Sequence, residues 1–285
     1  MEAKKGRREM KKFELTTEFI TNAFGKKLFR IKALVEFGNV KAGELGGYVE
    51  KEENVSQADN AWVSGDAEVF GNAKVYDNAW VSGDARVSGN AWVSGDARVY
   101  DNARVYGDAK VFDNAEVYGD AKVYGNARVS GNAWVRGNAW VSGDARVSGD
   151  ARVYGNAWVS GDARVYGDAR VSGNAWVRGN ARVSGDARVS GNAWVSGNAW
   201  VRGNAWVYGD ADYALVQGFG TEFRCTTFYR GKNKKIMVNC GCFHGDLEGF
   251  RKQVKETRNG KIAKEYLMIA DLMEYHFTSE DSSDE

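Results

Sequence analysis

Three cysteines and two histidines are the chain's only soft metal ligands or imidazoles, and four of the five gather near the C-terminal end. Cys240, Cys242 and His244 alternate along one expected strand, and Cys225 falls on its expected partner. Four such ligands could hold Zn²⁺. The spacing is not that of a standard zinc knuckle, and a Cys in a small core behaves as a buried apolar side chain. No cofactor is therefore expected, and the four are kept as metal candidates only. The second set of side chains with chemistry is larger and lies between Asn60 and Asp210. It comprises Trp140, Trp158, Trp176 and Trp194, eighteen residues apart, and Arg128, Arg146, Arg164 and Arg182 at the same interval. Indole faces stack on rings, sugars or bases, and guanidinium groups pair with anions, so the chemistry here is contact rather than catalysis.

The element that must position these ladders is a hexapeptide, [Gly/Asp]-[Asn/Asp]-Ala-x-Val-y. Val recurs at every sixth position from Val63 to Val207, 25 times without an insertion. Ala and Val stand two apart, so they point to one side of a short strand while x and y point to the other. Gly takes φ > 0 freely and Asn or Asp tolerates the left-handed region, so the first two positions make a corner. Three sides close an 18-residue triangular coil, and coils stack at about 4.8 Å. One unit cannot fold alone. A buried Val contributes about 1.5–3 kcal/mol, whereas ordering six residues costs about 6–12 kcal/mol. Only stacking closes that gap. The fold expected is an all-β solenoid, a left-handed parallel β-helix of about eight coils.

All ten Trp occupy position x and are expected on the outside, not in the core. Stepping by 18 puts Trp140–Trp194 on one face and Arg128–Arg182 on a second. The third is mixed and carries Trp62, Trp80, Arg98, Glu116, Trp134, Arg152, Arg170, Arg188 and Trp206. Every Trp follows an Asn two residues earlier, and seven of the ten Arg at x follow an Asp, as in Asp144/Arg146 and Asp162/Arg164. Local Asp–Arg pairing is expected to offset repulsion along the Arg row. A competing reading makes the surface a by-product of duplicating the block GNAWVSGDARVS, since single-base codon changes join Trp to Arg and Asn to Asp.

The repeat resembles the hexapeptide family of left-handed β-helices, which includes many acyltransferases. Val supplies the family's aliphatic position and Ala its small one, but Ser, Tyr, Phe or Arg follows Val where the family has Gly. The lead-in Asn39-Val40-Lys41-Ala42-Gly43, Gly46-Gly47-Tyr48-Val49 and Asn54-Val55-Ser56-Gln57 resembles that of uncharacterised bacterial proteins of the YdcK type, commonly assigned as acetyltransferases. It is also similar to phage- and prophage-borne hexapeptide proteins. The resemblance implies a preformed first coil; it brings no catalytic residue. Acyltransferases of this fold rely on a His base and on loops that interrupt the coils, whereas His244 and His276 lie outside the repeats and no loop interrupts them. Enzyme activity is therefore not expected.

The layout expected is a basic tail 1–12, a β cap with the first coil 13–57, the solenoid 58–212, a ββαα domain 213–278 and an acidic tail 279–285. Met10 is an alternative start. In the cap, Lys12–Ile20 and Lys27–Phe37 read as a hairpin or short sheet covering the open solenoid end. In the C-terminal domain, Asp246 reads as the N-cap of a helix with Leu247, Phe250 and Val254 inward. A second helix follows with Ile262, Tyr266, Ile269, Ala270, Met273 and Phe277 inward. Formal net charge is +1, so no global field recruits nucleic acid or membrane. With no leader or membrane span read, the expected compartment is the cytoplasm, the host's if the chain is phage-encoded. The function expected is non-enzymatic binding or scaffolding, possible roles being sequestration of a host factor or small ligand. The partner is a protein or further copies of the chain, as a homotrimer along one face; nucleic acid or nucleotide is a weaker candidate. An acyltransferase-like enzyme and a structural virion component are the alternatives.

Overall fold

The computed structural model describes residues 11–221, 223–231 and 234–278. The two expected tails fall outside these residues, except for Lys11 and Lys12. The chain divides into two compact units, 1–125 and 126–285. Both contain parallel β-solenoid, built from two-residue strands that run from Trp62–Val63 to Trp206–Val207. Within each unit these strands pair in parallel at an eighteen-residue interval, as Arg98 does with Glu116 in the first and Trp158 with Trp176 in the second. The inward Ala and Val side chains, Ala61–Ala205 and Val63–Val207, are 0–1% exposed, so the period-two reading of the hexapeptide holds at every repeat.

The corner chemistry follows residue type. The first corner residue takes positive φ whether it is Gly, as at Gly83 (+67°), or Asp, as at Asp77 (58°). At two such corners the Asp carboxylate accepts from the coil above: Asp77 Oδ2 takes the Gly95 N–H at 3.0 Å, and Asp101 Oδ2 the Gly119 N–H at 3.1 Å. That bond offsets the cost of the left-handed conformation for a residue with a Cβ.

In the first unit, strands Phe13–Thr21 and Lys27–Ala33 form the expected antiparallel hairpin, closed by Asn22, whose Oδ1 accepts from the Phe24 and Lys26 N–H groups. Strand Leu45–Val49 then pairs antiparallel with the hairpin and parallel with Glu68–Val69, converting one sheet type into the other. Val49 pairs with Val69 and Val55 bridges to Val75, twenty residues on instead of eighteen. The preformed first coil is therefore present and carries two extra residues before Val63. Lys12 holds that excess. Its ammonium donates to the carbonyls of Ala58, Asp59 and Ala61 at 3.1, 3.3 and 2.8 Å. Gln57 Oε1 accepts the Lys12 and Phe13 N–H groups.

One expectation fails in the cap. Trp62 occupies an outward position x, yet it is fully buried. The cap folds over it, with Phe13 and Phe37 edge-on at 6.3 and 5.4 Å. Gly46 allows the close approach, since a Cβ there would lie 2.5 Å from the Val63 carbonyl oxygen. The outward direction becomes a core direction wherever another element covers the face.

In the second unit, the solenoid ends on a four-stranded antiparallel sheet: Tyr213–Phe219, Arg224–Arg230, Ile236–Cys240 and Phe243–Asp246. The expected ββαα domain had two strands, and the sheet has two more. Helices Leu247–Thr257 and Gly260–Thr278 follow. The Asp246 side chain accepts the Gly249 N–H at 2.9 Å and is the expected cap. Phe228 and Val238 meet Leu247, Phe250, Val254, Tyr266, Ile269, Ala270, Met273 and Phe277 in one core, with Ile262 partly buried against it. The opposite sheet face supplies the hydrogen bonds that a further coil would have made. Thr227 Oγ1 accepts the Trp200 N–H at 3.0 Å, Tyr229 OH donates to the Arg202 carbonyl at 3.1 Å, and Asn239 Nδ2 donates to the Trp200 carbonyl at 3.3 Å.

Candidate functional site

The C-terminal cysteines and histidine do not converge. The chain turns at Gly241–Cys242, so Cys240 and His244 lie on successive strands instead of alternating along one. Cys240 packs against the helix-facing core and accepts from Thr226 Oγ1 at 3.1 Å. His244 faces the last coil, where its Nε2 lies 3.0 Å from Tyr229 OH. Tyr229 donates its own proton to Arg202, so His244 is the donor to Tyr229. Partial burial, and then the Arg202 guanidinium, hold the imidazole below its ordinary range. Burial pushes the Cys225 thiol up, away from the thiolate that metal binding requires. Cys242 is an exposed turn residue. Among the described residues no group of three or more His, Cys, Asp or Glu is arranged to hold a metal ion.

The ladders are assembled as expected. Trp140 pairs in register with Trp158, Trp158 with Trp176, and Trp176 with Trp194. The first two steps are parallel stacks, with centroids 4.6 and 4.7 Å apart and ring planes 8° and 11° apart; the third tilts to 52° at 5.5 Å. The coil repeat thus matches aromatic stacking distance, and each stacked pair contributes about 0.5–1.5 kcal/mol beyond burial. Trp176 and Trp194 remain 37% and 39% exposed. Arg178 lies over the Trp194 ring at 4.0 Å.

Beside this stack runs a second ladder that sequence reasoning did not identify. Asn138 donates its amide to Asn156, Asn156 to Asn174, and Asn174 to Asn192, at 3.2, 3.0 and 3.1 Å. Asn both donates and accepts, so it continues such a chain, whereas Asp only accepts and ends it. Asn132 donating to Asp150 and Asn126 donating to Asp144 show the second case. The available signal was the run of Asn at eighteen-residue intervals.

Arg128, Arg146 and Arg164 pair in register and are exposed, with Arg182 next in the row. The expected Asp–Arg pairing is not what these side chains do. Asp144 accepts from Asn126, eighteen residues away, and no ion pair reaches Arg146 or Arg164 among the described residues. The stacked neighbour in the next coil is closer than the side chain two positions along the corner. Arg182 instead lies over Trp200 at 5.7 Å.

Six segments, 79–95, 97–111, 121–137, 145–161, 163–179 and 181–197, match the family model described as the YdcK beta solenoid repeat. Over these segments the repeat array is similar to the YdcK beta solenoid repeat. The match takes in Trp158, Trp176 and Trp194 and the row Arg128–Arg182 but not Trp140, and the lead-in and the C-terminal sheet and helices fall outside it. No curated protein matches the chain. No helix among the described residues is long and apolar enough to cross a membrane.

Proposed function

We propose that the chain is a non-enzymatic binding protein that associates along its Trp ladder, with further copies of itself as the first partner. The observation that carries this reading is the stack Trp140–Trp158–Trp176–Trp194, one continuous apolar strip in which Trp140 and Trp158 are half-buried and Trp176 and Trp194 exposed. Contiguous exposed apolar surface marks contact sites. The rings are already ordered by stacking on each other, so a partner meets them with little further loss of side-chain freedom. The Arg128–Arg182 row is the second contact face, suited to carboxylates or other anions. A left-handed sense of winding and a homotrimer around the Trp face complete the proposal, as does a phage or prophage setting supported by the resemblance of the lead-in.

Absolute mass by light scattering tests it, on the wild type and on Trp158→Ser/Trp176→Ser. The expected result is a trimer for the wild type and a monomer of 31.4 kDa for the variant. A monomeric wild type removes the Trp ladder as an assembly seam.

A further inference from the structure

The first unit carries a groove of about 700 Å³ on the third, mixed face. Its floor is Trp80 and Arg98, paired in register on neighbouring strands. Four other cation–Trp neighbours satisfy each other. Lys110 lies over Trp92 at 4.6 Å, Arg152 over Trp134 at 4.9 Å, Arg188 over Trp206 at 5.1 Å and Arg182 over Trp200 at 5.7 Å. Trp80 and Arg98 do not: Arg98 is exposed and engages neither ring nor carboxylate among the described residues. The Trp80 ring is held from behind, its Nε1 donating to Ser64 Oγ at 3.1 Å. An indole and a guanidinium thus stand side by side, about one coil spacing apart, and both line the groove.

The walls define its chemistry. One is the amide chain in which Asn60 donates to Asn78 and Asn78 to Asp96, at 2.9 and 3.0 Å. The other is Tyr100, fixed by donating to Glu116 Oε2 at 3.0 Å. The loop at Gly38–Asn39 borders the groove next to Asn60. Neutral amides and one carboxylate suit hydroxyl groups, and an indole face suits the C–H face of a pyranose ring. Arg98 adds one positive charge, and Asp96 beside it disfavours a multiply charged phosphate. We propose that this groove binds a uronate-containing saccharide, with one uronate ring stacked on Trp80 and the carboxylate of that ring on Arg98. The site is independent of the Trp140–Trp194 ladder.

Isothermal titration with galacturonate trimer, the uncharged galactose trimer and uridine monophosphate tests it. The wild type is expected to bind the galacturonate trimer best. Trp80→Ala should weaken both saccharides by about tenfold or more. Arg98→Gln, which removes an exposed side chain without partners, should lower the charged probe to the affinity of the uncharged one and leave the latter unchanged. Trp158→Ser/Trp176→Ser should bind as the wild type does, whatever its mass. No heat with either saccharide overturns the proposal. So does uridine monophosphate binding in their place, or an unaltered preference in Arg98→Gln, which decides the matter even if Trp80→Ala does not fold.

Discussion

Lys12 shows how one side chain can hold an irregularity. It is 4% exposed, and its ammonium donates to three carbonyls around the two-residue excess of the first coil. Burial lowers its pKa to about 8, with nearby Asp59 pulling the other way. In the unfolded chain it titrates near the ordinary 10.5. Between these values the unfolded chain binds more protons than the folded one, so stability rises with pH from about 8 to about 10.5. Below about 8 both states are protonated and the contribution is constant. Urea unfolding of the wild type should show this rise, and Lys12→Met should flatten it. Equal slopes in the two proteins would contradict the assignment. At the corners the same residue-scale logic favours Gly: a Cβ on Gly83 would stand 2.9 Å from the Asp101 nitrogen.

The solenoid repeats one element, and its ends are the exceptional places. Each coil leaves a row of backbone donors and acceptors that the next coil satisfies, as when Trp176 N–H donates to the Ala193 carbonyl. Trp200 has no further coil, so Thr227 and Asn239 of the C-terminal sheet stand in for it. Thr227 is 1% exposed, and Thr227→Val keeps its shape while orphaning the Trp200 N–H. The expected cost is about 1–3 kcal/mol. Hydrogen exchange should quicken at the Trp200 amide before it does at Trp176. Unchanged protection at Trp200 would mean that the sheet does not cap the solenoid end through this bond.

At the scale of the whole chain, 39 basic and 38 acidic side chains leave a formal charge of +1, so assembly is neither driven nor opposed by net charge. Neighbouring Arg in an in-register row repel by roughly 0.9 kcal/mol per pair in water. Salt screens that repulsion and leaves apolar contact intact. If the Trp ladder carries assembly, the light-scattering mass should hold or rise between about 0.05 M and about 0.5 M salt. A fall to monomer over that range would assign assembly to the Arg face instead.

The sequence by itself determined the coil. Ala and Val at fixed phase, with Gly or Asp at each corner, dictate which side chains turn inward, because the strand period of two and the left-handed corner are local properties. The same locality made Asp246 legible as a cap and Leu247, Phe250 and Val254 as an inward face. Tertiary structure decided what distant chain segments bring to a surface. Trp62 is core because Phe13 and Phe37 fold over it, and no spacing within the repeat encodes that cover. Asp144 meets Asn126 instead of Arg146 because stacking brings residues eighteen apart closer than corner neighbours. His244 and Cys240 part because a turn at Gly241 reverses the strand between them. Trp80 and Arg98 form an open pair while Trp134 and Arg152 close on each other. The two pairs share residue types, phase and an eighteen-residue interval, so only the side-chain packing of each coil separates them.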